Sequence, residues 1–119
     1  MDQKTFVERL CWVVLDNLSR DLVEYWQHPP GRLRSETRSR RAKWLGSMNA
    51  EDRELLEAFG TEAARSALFG ILAVLDGSRA IEGAEEGHLE LRYLGANRSG
   101  LLASSAIESD TMPLHELLP

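Results

Sequence analysis

The first quarter of the chain carries apolar residues at spacings of three and four, the period of one face of an α-helix. These positions are Val7, Leu10, Cys11, Val14, Leu18, Leu22 and Trp26. The pattern predicts a long amphipathic helix over residues 3–27. Asp2 is its expected N-cap, with Thr5 and Glu8 as an alternative capping box one turn later. The sequence Pro-Pro-Gly after His28 ends it, because proline cannot continue the helical hydrogen bonds.

The middle of the chain is predicted to hold further helical segments separated by a turn. Residues 32–43 are polar and basic, and they form either a short exposed helix capped by Ser35 or an ordered loop. Asn49, with Asp52 three residues later, is a good N-cap signal for a helix over residues 50–59. We expect that helix to bury its large apolar side chains, Leu55, Leu56 and Phe59.

Residues 62–76 are apolar almost all round a helix, which is typical of the central helix of a domain. Gly60 and Thr61 mark a break or a kink before this helix, and Gly77 suits its left-handed end. We expect three of its side chains to be fully buried, namely Leu68, Ile71 and Leu72.

The hydrophobic period changes from helical to alternating near the C-terminus. Residues 88–94 alternate apolar and polar side chains, and residues 101–104 supply a second strand after a turn rich in Gly, Asn and Ser. Two strands alone are marginally stable, so the hairpin has to lean on the helices or be completed by another strand or a partner. With a last helical turn at 113–118, the chain is predicted to be a single α+β domain over residues 1–119. It is mostly helical, with three or four helices packed with a small C-terminal β-hairpin.

Composition narrows the class of protein. The chain has 119 residues, of which 43% are hydrophobic and 28% are charged, as in ordinary globular domains. A single cysteine, Cys11, excludes an internal disulfide framework and suits a reducing compartment. Because no run reaches the ~18 apolar residues of a membrane span and the first residues are polar, we expect a cytoplasmic protein without membrane contact.

Motifs for catalysis are missing from the sequence. His115-Glu116 begins like a zinc-protease helix, but the fifth position is Pro119 instead of the second histidine. The other histidines, His28 and His88, share no ligand spacing with it, and no serine lies in a Gly-x-Ser-x-Gly turn. Cys11 lies on the apolar stripe and is expected to be buried and inert. We therefore expect a non-enzymatic protein without a metal or another cofactor.

The charge is unevenly distributed. The net charge is −5, yet residues 32–43 carry six basic side chains against Glu36 alone. In a helix, Arg34, Arg38 and Arg41 would share one face, and with the helix from Ala50 the segment resembles a helix-turn-helix outline. That second helix begins with acidic residues, which phosphates repel. The basic segment is therefore interpreted as an arginine-rich face that pairs with the acidic helix behind it or is simply solvated. The alternatives are a dock for an acidic protein and a nucleic-acid contact.

Two other features favour protein recognition. Trp26 and Trp44 bracket the Pro-Pro-Gly and arginine stretch, and tryptophan with arginine is the composition favoured at interfaces. The acidic stretch after the central helix is expected to meet a basic protein partner, with charge steering the encounter. The candidate partner-binding residues are Glu82, Glu85, Glu86, Glu90, Trp26, Trp44, Arg38 and Arg41. Self-association is compatible with the same surfaces.

The C-terminal half also carries a family resemblance. The stretch 67–82, with the sequence ALFGILAVLDGSRAIE, is followed by an alternating strand and by the closing Leu-His-Glu-Leu-Leu of residues 114–118. This order resembles small bacterial proteins, some of which are similar to immunity proteins that neutralise a toxin. The resemblance implies an immunity protein or comparable inhibitor that acts by direct binding to a toxin-like partner. The alternative function is a nucleic-acid-associated regulator that uses residues 32–43.

Overall fold

The computed structural model describes residues 1–31, 35–83, 85–107 and 109–119. The predicted contribution of Arg32, Leu33 and Arg34 to a basic segment therefore lies outside the described residues. The contacts form two compact units. We call Met1–Val14 with Arg65–Pro119 the terminal unit, and Leu15–Ala64 the central unit. The prediction of a single domain over residues 1–119 stays a prediction.

Helices dominate the described part of the chain, and the expected mostly helical α+β class is confirmed. The elements are α1 (Gln3–Leu10), a π-helical turn (Cys11–Leu15), α2 (Leu18–Gln27), α3 (Glu36–Gly46), α4 (Ala50–Leu75), β1 (Glu90–Leu94), β2 (Ser99–Ser104) and a 3-10 turn (Leu114–Leu117). Three predicted N-caps are confirmed by hydrogen bonds to backbone N–H groups. Asp2 accepts from Thr5 at 2.7 Å, Ser35 from Arg38 at 3.2 Å and Asn49 from Asp52 at 2.8 Å.

The predicted continuous helix over residues 3–27 is wrong. It is interrupted by the π-helical turn and by Asn17, whose φ of 67° is left-handed. Asparagine tolerates that conformation better than most residues, so the chain can break its helix there and begin α2 in a new phase. The apolar face is therefore discontinuous, and both Val14 and Leu22 are exposed although the spacing placed them on the buried side.

Of the two alternatives for Gly60, a break or a kink, the break is wrong, because α4 runs through this residue without interruption. A side chain at Gly60 would collide with the hydroxyl of Ser19, so glycine here allows α2 and α4 to approach closely. Leu55 and Phe59, expected to be buried, are 64% and 71% exposed. The first half of α4 therefore presents apolar side chains to solvent.

The core of the terminal unit lies between α1, the end of α4, β2 and the 3-10 turn. Its buried apolar side chains are Val7, Leu68, Leu72, Ala73, Leu102, Ala103 and Leu114. Ile71 is 59% exposed, which corrects the expectation that it is buried. At 3.6 residues per turn, Ile71 lies about 60° around the helix from Leu68 but about 160° from Ala73, so it projects from the edge of the buried side that is farthest from Ala73.

The hairpin is antiparallel and is irregular between Leu91 and Arg92, where Leu102 has no partner in the register. This bulge breaks the alternation of β2, so Leu102, Ala103 and Ser104 are all buried. The Gln3 side chain of α1 donates to the carbonyl oxygens of Leu102 and Met112, each at 2.7 Å. The hairpin thus leans on a helix, as its marginal size requires.

Helix α4 is also long and apolar enough to cross a membrane, by length and composition alone. Its most apolar 18-residue stretch has a mean hydropathy of 1.4, and 17% of that stretch is buried. Helix α4 is the only helix of the described residues that meets this criterion. Core helices of soluble proteins meet the same criterion.

Candidate functional site

Three of the predicted recognition residues meet in the central unit. The rings of Trp26 and Trp44 lie 6.5 Å apart between centroids, tilted by 57°. The guanidinium carbon of Arg41 stands 4.4 Å from the centroid of the Trp26 ring, within range of a cation–π interaction. The structure therefore brings together two tryptophans and one arginine that the sequence shows only as neighbours along the chain.

Beside this cluster lies a groove of about 270 Å³, which we call the tryptophan groove. Helices α2, α3 and α4 line it, and its lining residues are Ser19, Leu22, Val23, Trp26, Trp44, Leu56, Phe59 and Gly60. The close approach of Ser19 and Gly60 brings α2 and α4 together within it. The Ser19 hydroxyl is buried and has no hydrogen-bond partner among the described residues. The lining is thus almost entirely apolar, and none of its side chains is ionisable.

A second cavity of about 320 Å³ is lined by Thr37, Arg40, Arg41 and Trp44. Trp44 lines both cavities and is half exposed. Helix α3 carries Arg38, Arg40, Arg41 and Lys43 against Glu36, so its surface is positively charged. The apolar groove therefore has an arginine-rich margin on the side of α3.

The guanidinium of Arg53 fixes α4 to α3. Its Nη2 donates to the Leu45 carbonyl oxygen at 3.1 Å. When the Gln27 amide is turned so that its oxygen faces Arg53, that oxygen accepts from Nη2 at 2.6 Å and from Nη1 at 3.2 Å, which ties α2 to the same group. One side chain thus links the three helices that line the tryptophan groove.

Large apolar side chains of the central unit remain exposed. Leu22, Tyr25 and Trp44 are each about half exposed, and Leu55 and Phe59 are more so. The beginning of α4 adds exposed carboxylates at Glu51, Asp52 and Glu54. The central unit therefore presents apolar surface with positive charge on α3 and negative charge at the start of α4.

The other predicted partner-binding residues are not part of this cluster. Arg38 is partly buried in α3. Glu82, Glu85 and Glu86 are exposed in the loop after α4, within the terminal unit. We call these three residues the acidic loop.

Glu90 differs from the acidic loop because its charge is locally balanced. It binds Arg92 at 2.8 Å and His88 at 3.3 Å. Hydrogen bonds from Arg92 and His88 lower the pKa of Glu90 below its ordinary value. Pairing on the strand face thus removes Glu90 from the negative patch that the sequence suggested.

The terminal unit also contains a polar cluster that the sequence did not predict. Oδ2 of Asp76 accepts from Nδ1 of His115 at 2.6 Å, and the edge of that imidazole ring meets Phe69 at a centroid distance of 5.0 Å. The Ser78 hydroxyl lies 3.5 Å from the same Nδ1. In a catalytic triad the serine and the acid contact opposite ring nitrogens, so this cluster lacks the geometry of an activated serine. Its partners are 39 residues apart, which no local pattern shows.

Metal chemistry finds no support in the described residues, where no three His, Cys, Asp or Glu side chains come together as ligands would. Cys11 is only partly buried, whereas its position on the apolar stripe indicated a buried thiol.

Comparison with known proteins gave no matching family model, no matching curated protein and no matching solved structure.

Proposed function

We propose that this protein is a non-enzymatic protein-binding module whose contact surface is the tryptophan groove with its arginine margin. The observation that carries the proposal is the Arg41 guanidinium over Trp26, beside the half-exposed Trp44. Tryptophan, tyrosine and arginine supply most of the binding energy in protein interfaces, especially at the centre of an apolar patch. Tyr25 precedes Trp26 on α2 and is also exposed, but it does not line the groove.

The chemistry of the groove favours binding over catalysis. A general acid or base has to reach the reacting atoms at hydrogen-bond distance. The groove offers only apolar side chains, a glycine and the buried hydroxyl of Ser19. Such a lining can desolvate an apolar side chain of a partner but offers no proton-transferring group.

We propose further that binding neutralises the partner, as in an immunity protein or comparable inhibitor. This part rests on the resemblance of the C-terminal half to such proteins. The acidic loop supports a basic, toxin-like partner, because exposed carboxylates attract an opposite charge and raise association rates. The groove and the acidic loop lie in different units, so each is tested by its own variants.

The test is partner capture from the native cell, followed by measured affinity of the captured protein for purified variants. We expect Trp44→Ala to weaken binding at least tenfold, because truncation of a central aromatic anchor costs about 2 kcal/mol or more and tenfold corresponds to about 1.4 kcal/mol. Trp12→Ala is the matched control, since Trp12 is also exposed but lies in the terminal unit. Equal affinities of both variants would refute the groove as the contact surface.

Nucleic-acid binding through residues 32–43 is the alternative from the sequence, and the same protein can test it. Duplex DNA affinity is measured between low and physiological salt. A steep fall with salt, as several phosphate contacts produce, would support the regulator in place of the protein-binding module. We expect no binding at physiological salt, because the chain is acidic overall and α4 begins with carboxylates.

A further inference from the structure

We infer that the tryptophan groove receives an amphipathic α-helix of another protein, which carries carboxylates along the border of its apolar face that lies over α3. The inference rests on the proposed function and names the class of partner. It follows from the shape of the groove, from its charge and from the apolar area around it.

The shape is that of a cleft between helices. Residues of α2 and α4 line it, and Trp44 of α3 completes it. An amphipathic helix enters such a groove with apolar side chains at positions i, i+3, i+4 and i+7. A flat or strongly polar partner surface would leave the apolar lining in water.

The charge sets the orientation of that helix. Arg40 and Arg41 line the cavity that shares Trp44 with the groove. Guanidinium groups bind carboxylates through paired, charge-assisted hydrogen bonds. Helix α4 begins instead with exposed Glu51, Asp52 and Glu54, which would repel a carboxylate. The acidic border of the partner helix therefore lies along α3.

The apolar area agrees with a partner helix. Three large side chains that line the groove are about half exposed or more, namely Leu22, Trp44 and Phe59. Together they offer on the order of 300 Å² of apolar surface, against roughly 800 Å² that each partner buries in a standard interface. Contacts with the arginines of α3 supply the charged remainder.

The experiment uses two fluorescent peptides of about 18 residues, or five helical turns. Both carry the same stripe of leucine and phenylalanine, and one bears glutamates where the other bears lysines along one border. Anisotropy measures their affinity for the full chain at low salt. We expect the glutamate peptide to bind at least tenfold more tightly than the lysine peptide.

Variants locate the effect. Arg40→Glu leaves the Arg41–Trp26 contact intact, and we expect it to remove most of the preference for glutamate. Trp44→Ala should weaken both peptides, whereas the controls Trp12→Ala and Arg98→Glu, both in the terminal unit, should change neither. Circular dichroism and thermal unfolding confirm that each variant is folded.

Three outcomes would overturn the inference. Equal binding of both peptides would refute the acidic border. Binding of neither, with a dimer in sedimentation that Phe59→Glu dissociates, would assign the groove to a second copy of the chain. Binding of neither, while capture of the native partner still depends on Trp44, would refute the helix but leave the proposed function standing. Loss of that dependence on Trp44 would instead refute the proposed function.

Discussion

The Asp76 carboxylate shows how a single buried charge ties distant parts of the terminal unit together. Its side chain is 2% exposed and accepts hydrogen bonds from the His115 ring and from the backbone N–H groups of His115 and Ser78. Burial opposes ionisation, but these hydrogen bonds outweigh it and lower the pKa of Asp76. The ionised carboxylate therefore holds the last 3-10 turn against the end of α4.

We expect Asp76→Asn to destabilise the protein at neutral pH by about 1–3 kcal/mol, since it leaves buried donors poorly satisfied. Because the pKa is lower in the folded than in the unfolded state, the stabilisation from ionised Asp76 is present above the unfolded value. It is lost as pH falls through the folded pKa, below the ordinary value of 3.8. Denaturant unfolding from pH 7 to pH 2 measures this, and the exposed Asp110→Asn serves as control. A variant as stable as the wild type at neutral pH would contradict the structural role of the pair.

Two neighbouring residues of α4 test the assignment of the terminal core. Leu72 is 1% exposed, so Leu72→Ala should cost roughly 2–5 kcal/mol through lost burial and the cavity left behind. Ile71→Ala should cost less than about 1 kcal/mol, because Ile71 is more than half exposed. Chemical denaturation of both variants decides the matter. Similar losses for the two would show that α4 is rotated relative to the structure.

At the scale of elements, the helix caps were predictable from the sequence, but the points at which a helix changes its buried face were not. Asp2, Ser35 and Asn49 cap their helices as expected, because a cap depends on residues within one turn. The π-helical turn at Cys11–Leu15 does not alter the spacing of apolar residues in the sequence. It does change which side of the helix these residues occupy, because a π-helix has more residues per turn. The glycine at position 60 favours a helix break in the sequence, but in the structure it leaves space for Ser19 of α2.

The contact between Ser19 and Gly60 predicts a non-additive pair of substitutions. Gly60→Ala gains helix propensity worth about 1 kcal/mol, but its new methyl group would meet the Ser19 hydroxyl. Ser19→Ala removes that obstacle and a buried hydroxyl without a hydrogen-bond partner among the described residues, so alone it should be neutral or stabilising. We expect Gly60→Ala to be more favourable by about 1 kcal/mol in the Ser19→Ala background. A double-mutant cycle from thermal unfolding gives this coupling, and strict additivity would argue against the close approach of α2 and α4.

At the scale of the whole molecule, the net charge is divided unequally between the two units. The terminal unit holds six basic and ten acidic side chains, net −4, whereas the central unit holds eight and nine, net −1. The arginines of α3 and the tryptophans were identifiable as candidates from sequence, because they cluster along the chain. The contacts of Trp26 with Trp44 and Arg41 were not identifiable, nor was the pair of Asp76 and His115, because both depend on tertiary contacts.

This division of charge leads to a prediction for the acidic loop. Glu82, Glu85 and Glu86 are exposed and form no ion pair among the described residues, so reversing all three to lysine should preserve the fold. The triple variant changes the net charge from −5 to +1. If the captured partner is basic, its association at low salt should be slower, because long-range attraction is lost. The deficit should shrink towards 1 M salt, where the Debye length falls to about 3 Å.

The matched control reverses three other exposed acids of the terminal unit, Glu8, Asp110 and Glu116, and reaches the same net charge. Stopped-flow association rates of both triple variants separate a local contact from an effect of total charge. A slower rate for the acidic-loop variant alone places the partner's basic surface at this loop. Equal slowing of both would mean that only the overall charge steers the encounter. Wild-type rates for both would show that the acidic loop takes no part in association.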